Sequence, residues 1–272
     1  MTNLKQIEKF LKLKRGYVSK FPENKKAVII ISGGLDSTVT SARLIEDFGL
    51  ELFPIHIRRG QTNGIFEERS VKYFSIFFQK RYGKKRFHEP RFIDVNIPPV
   101  EFKKDLLGYM TKFGYPLRDT IMFLLGVEYA VAVSQKCGSK IRIVYSANVL
   151  DDPFPHTTLM GMRANTLNVC VNMDDWDWQL TSPNIDSFLA NYTFGKVDEI
   201  KWAIQKGIPI QKTTSCYRIS KETNFLSCGS CLACKRRHTA FLEAGLTDPT
   251  EYHEMTYNWM DKIKSIYHHP RI

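Results

Sequence analysis

The chain has 272 residues, 43% of them hydrophobic, with 39 basic against 28 acidic side chains and a formal net charge of +11. That length and apolar content suffice for one full core, alone or with an appendage, and the basic surplus suits an anionic ligand such as ATP or a nucleic acid. No apolar run reaches the ~18 residues that span a bilayer, and the opening stretch MTNLKQIEKFLKLKRG is too charged for a signal peptide, so a cytoplasmic protein without membrane association is expected. Six cysteines, four of them close together near the C-terminus, fit a metal site in a reducing compartment better than a disulfide framework.

From Leu4 to Tyr17 apolar residues fall at Leu4, Ile7, Phe10 and Leu11 with lysines between them, which predicts an amphipathic helix ahead of the fold proper. Its lysine-rich side reads as a solvated face or a self-association surface, compatible with a homodimer. Ala27 to Ile31 is apolar and mostly β-branched without alternation, the pattern of a strand covered on both faces. Helical spacing resumes from Ser37 to Phe48, with Gly49 placed to end the helix. Further strands are expected at Leu52–Ile57, Phe92–Ile97 and Ile141–Ala147, and helices at Phe66–Tyr82 and Thr120–Ser134. This alternation predicts a doubly wound α/β fold with a parallel sheet and right-handed crossovers.

Between Asp151 and Asn191 the periodicity fades, and loops over the carboxyl edge of the sheet are expected. A helix returns at Lys196–Gln205, then the cysteine-rich segment, then a last helix opened by Asp248-Pro249-Thr250-Glu251, a capping box in outline. The organisation expected is an N-terminal helical extension (1–26), a nucleotide-binding α/β domain (27–210) and a C-terminal cysteine-bearing helical segment (211–272) on the same core.

The turn after the first strand reads Ser32-Gly33-Gly34-Leu35-Asp36-Ser37. Two glycines permit backbone angles and close approaches that a side chain would block, so successive N–H groups can point at an anion. Ser32 and Ser37 add hydroxyl donors, and the following helix begins at the same spot. Asp36 would repel a phosphate unless a cation intervenes, which suggests Mg²⁺. No Walker lysine follows.

The second constellation is Cys216, Cys228, Cys231 and Cys234. Four thiolates with CxxC steps suit tetrahedral Zn²⁺ in a closed structural site, with an iron–sulfur cluster or redox-active thiols as the other readings. Lys235, Arg236 and Arg237 would offset the negative charge of such a site. Cys137 and Cys170 stand apart and read as buried small hydrophobes.

Ser32, Gly33, Gly34, Asp36 and Ser37 match the SGGxDS motif, in which the chain resembles the PP-loop ATP pyrophosphatases. The C-terminal run with Thr213, Ser215, Cys216, Tyr217, the three later cysteines, Arg237, Ala240, Phe241, Asp248, Pro249, Thr250 and Tyr252 resembles the end of the 7-cyano-7-deazaguanine synthase (QueC) family. Between these ends the likeness thins. Gly60-Gln61 with Glu67 or Glu68 resembles the family's YGQ…E with Arg59 in place of tyrosine, and Arg118-Asp119 its Arg-Asn pair. Asn148 and Asp151 resemble its N-x-x-D, and Lys196 a lysine that opens a late helix. The family's YPDCR appears as Phe154-Pro155-His156-Thr157-Thr158, where an acid has become histidine.

The resemblance implies ATP bound by Ile31, Ser32, Gly33, Gly34, Leu35, Asp36, Ser37, Thr38, Gly60 and Gln61. It implies catalytic roles for Asp36, Ser37, Lys196 and Arg118, and a 7-deazaguanine substrate held by Asp119, Asn148, Asp151, Phe154 and His156. Cofactors are Mg²⁺ and structural Zn²⁺. A carboxylate on the deazaguanine would be adenylated and opened by ammonia, and a second activation would dehydrate the amide to the nitrile. Two other readings stand beside it. One is a QueC-like ligase passing the activated acyl group to a protein amine, as in antiphage defence. The other is a tRNA-modifying PP-loop enzyme, although stable nucleic-acid binding is not expected without a separate RNA-binding domain. Trp176 and Trp178 read equally as base-stacking or packing residues.

Overall fold

In the computed structural model the residues described are 3–150, 152, 154–190 and 193–253. Helix α1 (Asn3–Arg15) precedes strand β1 (Lys26–Ile30), helix α2 (Leu35–Glu46), β2 (Glu51–Arg58), α3 (Gly64–Tyr82) and β3 (Arg91–Asp94). There follow α4 (Leu107–Phe113), α5 (Arg118–Cys137), β4 (Ile143–Tyr145), α6 (Leu159–Asn172), β5 (Gln179–Thr181), α7 (Lys196–Gln205) and α8 (Leu232–Glu243). The five strands form one sheet in the order β3-β2-β1-β4-β5, with every neighbouring pair parallel.

Both faces of the sheet are covered, which explains the unbroken apolar run of β1. Ala27 and Ile29 face a core shared with α2, α3, α7 and α8, whereas Val28 and Ile30 face one shared with α5 and α6. The chain steps outward from β1 to β3, then crosses back to β4 on the other side of β1. Connections on either side therefore diverge between β1 and β4, and that divergence opens a crevice at the carboxyl ends of the two strands. The expected doubly wound sheet is present.

The stretch read as loops from Asp151 to Asn191 contains α6 and β5 instead. Thr158 caps α6 by accepting the Gly161 N–H at 3.2 Å. Arg163 of α6 is buried and paired with the buried Asp186 at 2.7 Å, and reaches Glu8 of α1 at 3.3 Å. Helix α1 thus lies on the body rather than apart from it. Its Leu11 is buried, and Arg15 donates to the carbonyls of Trp176 and Trp178 at 3.2 and 2.6 Å. Trp178 is a core residue, and Trp176 packs edge-on against Phe10 at 5.9 Å, so neither faces a base-binding surface.

The helix expected to open at Asp248 does not begin there. The Asp248 carboxylate accepts the Thr250 N–H at 3.0 Å, the Tyr252 hydroxyl at 2.6 Å and Arg237 Nε at 3.3 Å, and Tyr252 bridges to Ser227. Residues 254–272 of that expected helix lie outside the described residues. Cys170 is buried as expected, while Cys137 is exposed. Among the described residues no helix is long and apolar enough to cross a membrane.

Candidate active site

The crevice between β1 and β4 carries the loop Ser32–Ser37 on one wall. Gly33 adopts φ +74°, and a Cβ there would lie 2.6 Å from the Glu67 carbonyl and 2.8 Å from Ser70 Cβ, so both conformation and space demand glycine. Ser32 and Ser37 brace the turn: Ser37 Oγ accepts the Ser32 N–H at 3.2 Å, and Ser32 Oγ accepts the Gly34 N–H at 3.3 Å. Gly34 is the N-cap of α2 and supplies no side-chain cap. The first-turn amides of α2 therefore face the crevice with the positive end of the helix dipole, an arrangement suited to phosphate.

Facing the loop is a buried charge cluster. Lys196, the first residue of α7, hydrogen-bonds and ion-pairs with Asp36. Burial opposes the Asp36 charge, but the Lys196 ammonium and neighbouring hydrogen bonds outweigh it and hold the carboxyl below its ordinary value. For Lys196, likewise, the attraction of Asp36 and Glu199 exceeds the burial penalty and its pKa is raised. Glu199, one turn along α7, is fully buried; burial and then the Asp36 charge push its pKa well above the ordinary value. Asn184 donates to Glu199 Oε1 at 3.3 Å, and a side-chain hydrogen bond joins Glu199 to Asp36. Asp152, on the loop after β4, is raised by burial and by Asp36, and accepts Arg236 Nη1 of α8 at 3.0 Å.

A second cluster closes the far side. Arg118 Nε donates to Asp119 Oδ1 at 2.8 Å, Asn148 Nδ2 donates to Asp119 Oδ2 at 3.1 Å, and His156 Nε2 lies 3.9 Å from Asp119 Oδ1. Phe154 stacks on His156 with ring centroids 5.5 Å apart. Burial lowers the His156 pKa against the pull of Asp119, leaving the ring neutral at pH 7. Arg118, Asp119 and Asn148 line the crevice, with His156 and Phe154 behind Asp119. Asp151 lies outside the described residues.

The expected ATP set divides. Ile31, Ser32, Gly34, Leu35, Asp36 and Ser37 line the crevice; Gly33 and Thr38 face the packing behind it. Gly60 and Gln61 are not on the crevice wall. Gln61 Nε2 donates to Glu67 Oε2 at 2.6 Å, and Gly60, at φ +74°, turns toward Asn96. From that segment Arg59 and Glu67 face the crevice, 3.3 Å apart. His56 of β2 joins them, its Nδ1–H donating to the Ile31 carbonyl at 2.9 Å. Sequence reading overlooked His56, Asp152 and Glu199 because each depends on partners far along the chain.

The four cysteines are buried, and their sulfurs all lie within 4.8 Å of one another. Tetrahedral Zn–S bonds of ~2.3 Å place sulfurs a little under 4 Å apart, so the cage fits such an ion with small adjustment. Backbone N–H groups of Arg218 and Cys228 point at Cys216 Sγ at 3.3 and 3.2 Å, and that of Cys231 at Cys228 Sγ at 3.3 Å, suiting thiolates. Arg236 and Arg237 do not face this cage to offset its charge. Arg236 reaches Asp152; Arg237 donates to Thr213 Oγ1 at 2.7 Å and the Ile210 carbonyl at 3.1 Å. Thr214, held by that bracing, donates its N–H to the Gly33 carbonyl at 2.9 Å. The cysteine lobe therefore supports the loop directly.

Fold and crevice together define a doubly wound nucleotide-binding protein with a PP-loop. The family model for the queuosine biosynthesis protein QueC matches residues 109–245. Proteins named 7-cyano-7-deazaguanine synthase are similar over most of the chain. The one from Methanococcus maripaludis is 30% identical, covering 84% of this chain and 98% of its own length. Those from Oceanobacillus iheyensis and Acetivibrio thermocellus are 29% and 28% identical, covering 84% and 85% of this chain and 98% and 100% of theirs. The chain belongs to the QueC family.

Proposed function

We propose that the protein converts a carboxylate on a 7-deazaguanine to the nitrile at the expense of ATP. The observation that carries this reading is the loop Ser32–Ser37 capping α2 opposite Lys196 and Arg118, in a chain whose relatives bear the synthase name. In this reading the 7-carboxylate attacks the α-phosphate of ATP, forming an acyl adenylate as the bond to pyrophosphate breaks. Ammonia then displaces AMP to give the amide. The amide oxygen attacks the α-phosphate of a second ATP as the bond to its pyrophosphate breaks, and loss of AMP, which carries off that oxygen, together with the two amide protons leaves the nitrile.

The residues divide the work as follows. Amides of the α2 first turn and the hydroxyls of Ser32 and Ser37 receive the departing pyrophosphate. Lys196 neutralises charge that develops on the phosphates, as a fixed charge set in the crevice wall. Arg118, Asp119 and Asn148 hold the deazaguanine edge and carboxylate. Asp36 and Asp152 offer the hard oxygen donors Mg²⁺ requires, and that ion would supply charge neutralisation at the phosphates. Zn²⁺ in the Cys216–Cys228–Cys231–Cys234 cage would be structural, its four protein ligands leaving no position for a reactive water. Named relatives are synthases, so ammonia is the acceptor taken here.

Incubation with Mg-ATP, 7-carboxy-7-deazaguanine and ammonium should give carboxylate-dependent AMP and pyrophosphate and a product with the nitrile mass. Pyrophosphate release that does not depend on the carboxylate, or a mass gain on a protein in place of a free nitrile, would overturn the reading.

A further inference from the structure

Arg236 is in α8, two residues past Cys234, yet its side chain reaches away from the cysteine cage and forms part of the crevice wall. Its Nη1 donates to Asp152 Oδ1 at 3.0 Å, while Nη2 is buried and has no hydrogen-bond partner. Among the other crevice cations, Lys196 is engaged by Asp36, Arg118 by Asp119 through Nε, and Arg59 by Glu67. A guanidinium presents its N–H groups as a rigid planar fork, so fixing one edge on Asp152 also fixes where the other edge points. A buried charged donor without an acceptor is costly unless a ligand completes it. That ligand must offer an oxygen that accepts, and in a crevice lined by the PP-loop it is an oxyanion.

We propose that Arg236 is an oxyanion-binding residue: Asp152 holds one edge of the guanidinium, and Nη2 donates to a phosphate or carboxylate oxygen of a substrate in the crevice. The inference rests on the ATP-dependent reading above and adds to it a binding group contributed by the cysteine lobe. Three elements then converge on the reacting anions, α2 by its amides, α7 by Lys196 and α8 by Arg236. Two oxyanions of the proposed reaction have the required chemistry, the ATP phosphates and the substrate carboxylate.

Isothermal titration separates them without any turnover. Wild type, Arg236→Met and Arg236→Lys are titrated with ATP, AMP, pyrophosphate and 7-carboxy-7-deazaguanine, with melting temperature and far-UV circular dichroism as folding controls. Loss of one hydrogen bond to a charged group is expected to weaken the affected ligand roughly tenfold to a hundredfold in Arg236→Met. Arg236→Lys should fall between, since a single ammonium head lacks the fork that spans Asp152 and a ligand. Weakening of ATP and AMP together assigns the α-phosphate, weakening of ATP and pyrophosphate assigns the distal phosphates, and weakening of the carboxylate alone assigns the second substrate. Unchanged affinity for all four ligands in a folded Arg236→Met overturns the inference. Failure of the wild type to bind ATP would instead remove the reading on which it rests.

Discussion

Gly33 and Glu199 are single residues whose surroundings yield predictions of their own, one steric and one in pH. At Gly33 an added methyl group meets backbone on one side and a bracing serine on the other, at a φ that alanine rarely adopts. Gly33→Ala is expected to lower stability by ~1–3 kcal/mol, read as a lower denaturant midpoint at unchanged slope. A variant as stable as wild type would mean the loop rearranges freely. Glu199 carries a pH signature. Its folded-state pKa lies above its unfolded value, so its contribution to stability is fully present below the unfolded pKa and is lost as pH rises through the folded one. Glu199→Gln keeps an acceptor for Asn184 and cannot ionise. The melting temperature of Glu199→Gln relative to wild type should therefore rise between pH 5 and pH 8. A difference that stays constant over that range would show that the fold does not raise the Glu199 pKa.

Elements differ in how plainly they were written in the sequence. β1, the glycine turn and α2 were legible because an uninterrupted β-branched run, two glycines and a helical stripe are local signals. α6 was not: it is covered by α1 on one side and the sheet core on the other, so its apolar residues show no single face. β5 is three residues long, too short for any period. Asp248-Pro249-Thr250-Glu251 has the composition of a helix start, but Arg237 and Tyr252 occupy the carboxylate in the fold. The Asp152–Arg236 contact joins residues 84 apart, and no local pattern announces it. For α8 the cysteine cage yields a prediction. Elemental analysis should find about one zinc per chain, and stripping it should raise hydrogen exchange across residues 210–240 while the sheet stays protected, because Arg237 ties that lobe to Thr213 and Ile210. Iron, no metal, or unaltered exchange after stripping would contradict it.

At the scale of the whole molecule, the crevice is where the two halves of the sheet diverge, so a nucleotide there touches elements from both. Mg-ATP at a hundred times its dissociation constant should stabilise the fold by ~2.7 kcal/mol, a rise in melting temperature of about 5 °C for a chain of this size. Absence of a shift at saturation would argue against binding to the folded state. The +11 charge, which first suggested either a nucleotide or a nucleic acid, does not distinguish them, since many of its carriers are engaged in ion pairs such as Arg58–Glu68 and Arg163–Asp186. The choice came from the crevice and from the family, not from the charge total.

The hydrogen bond from Thr214 to the Gly33 carbonyl has a consequence for how the protein is born. The PP-loop is synthesised early, yet one contact on its Gly33 carbonyl comes from a residue made some 180 positions later, in a segment itself held by Arg237. A nascent chain still short of that arginine has the glycines and the serines that brace them but not the secured Thr214 contact. Ribosome-bound chains ending before α8 are thus expected to leave the nucleotide uncaptured, and binding should switch on abruptly once that helix has cleared the exit tunnel.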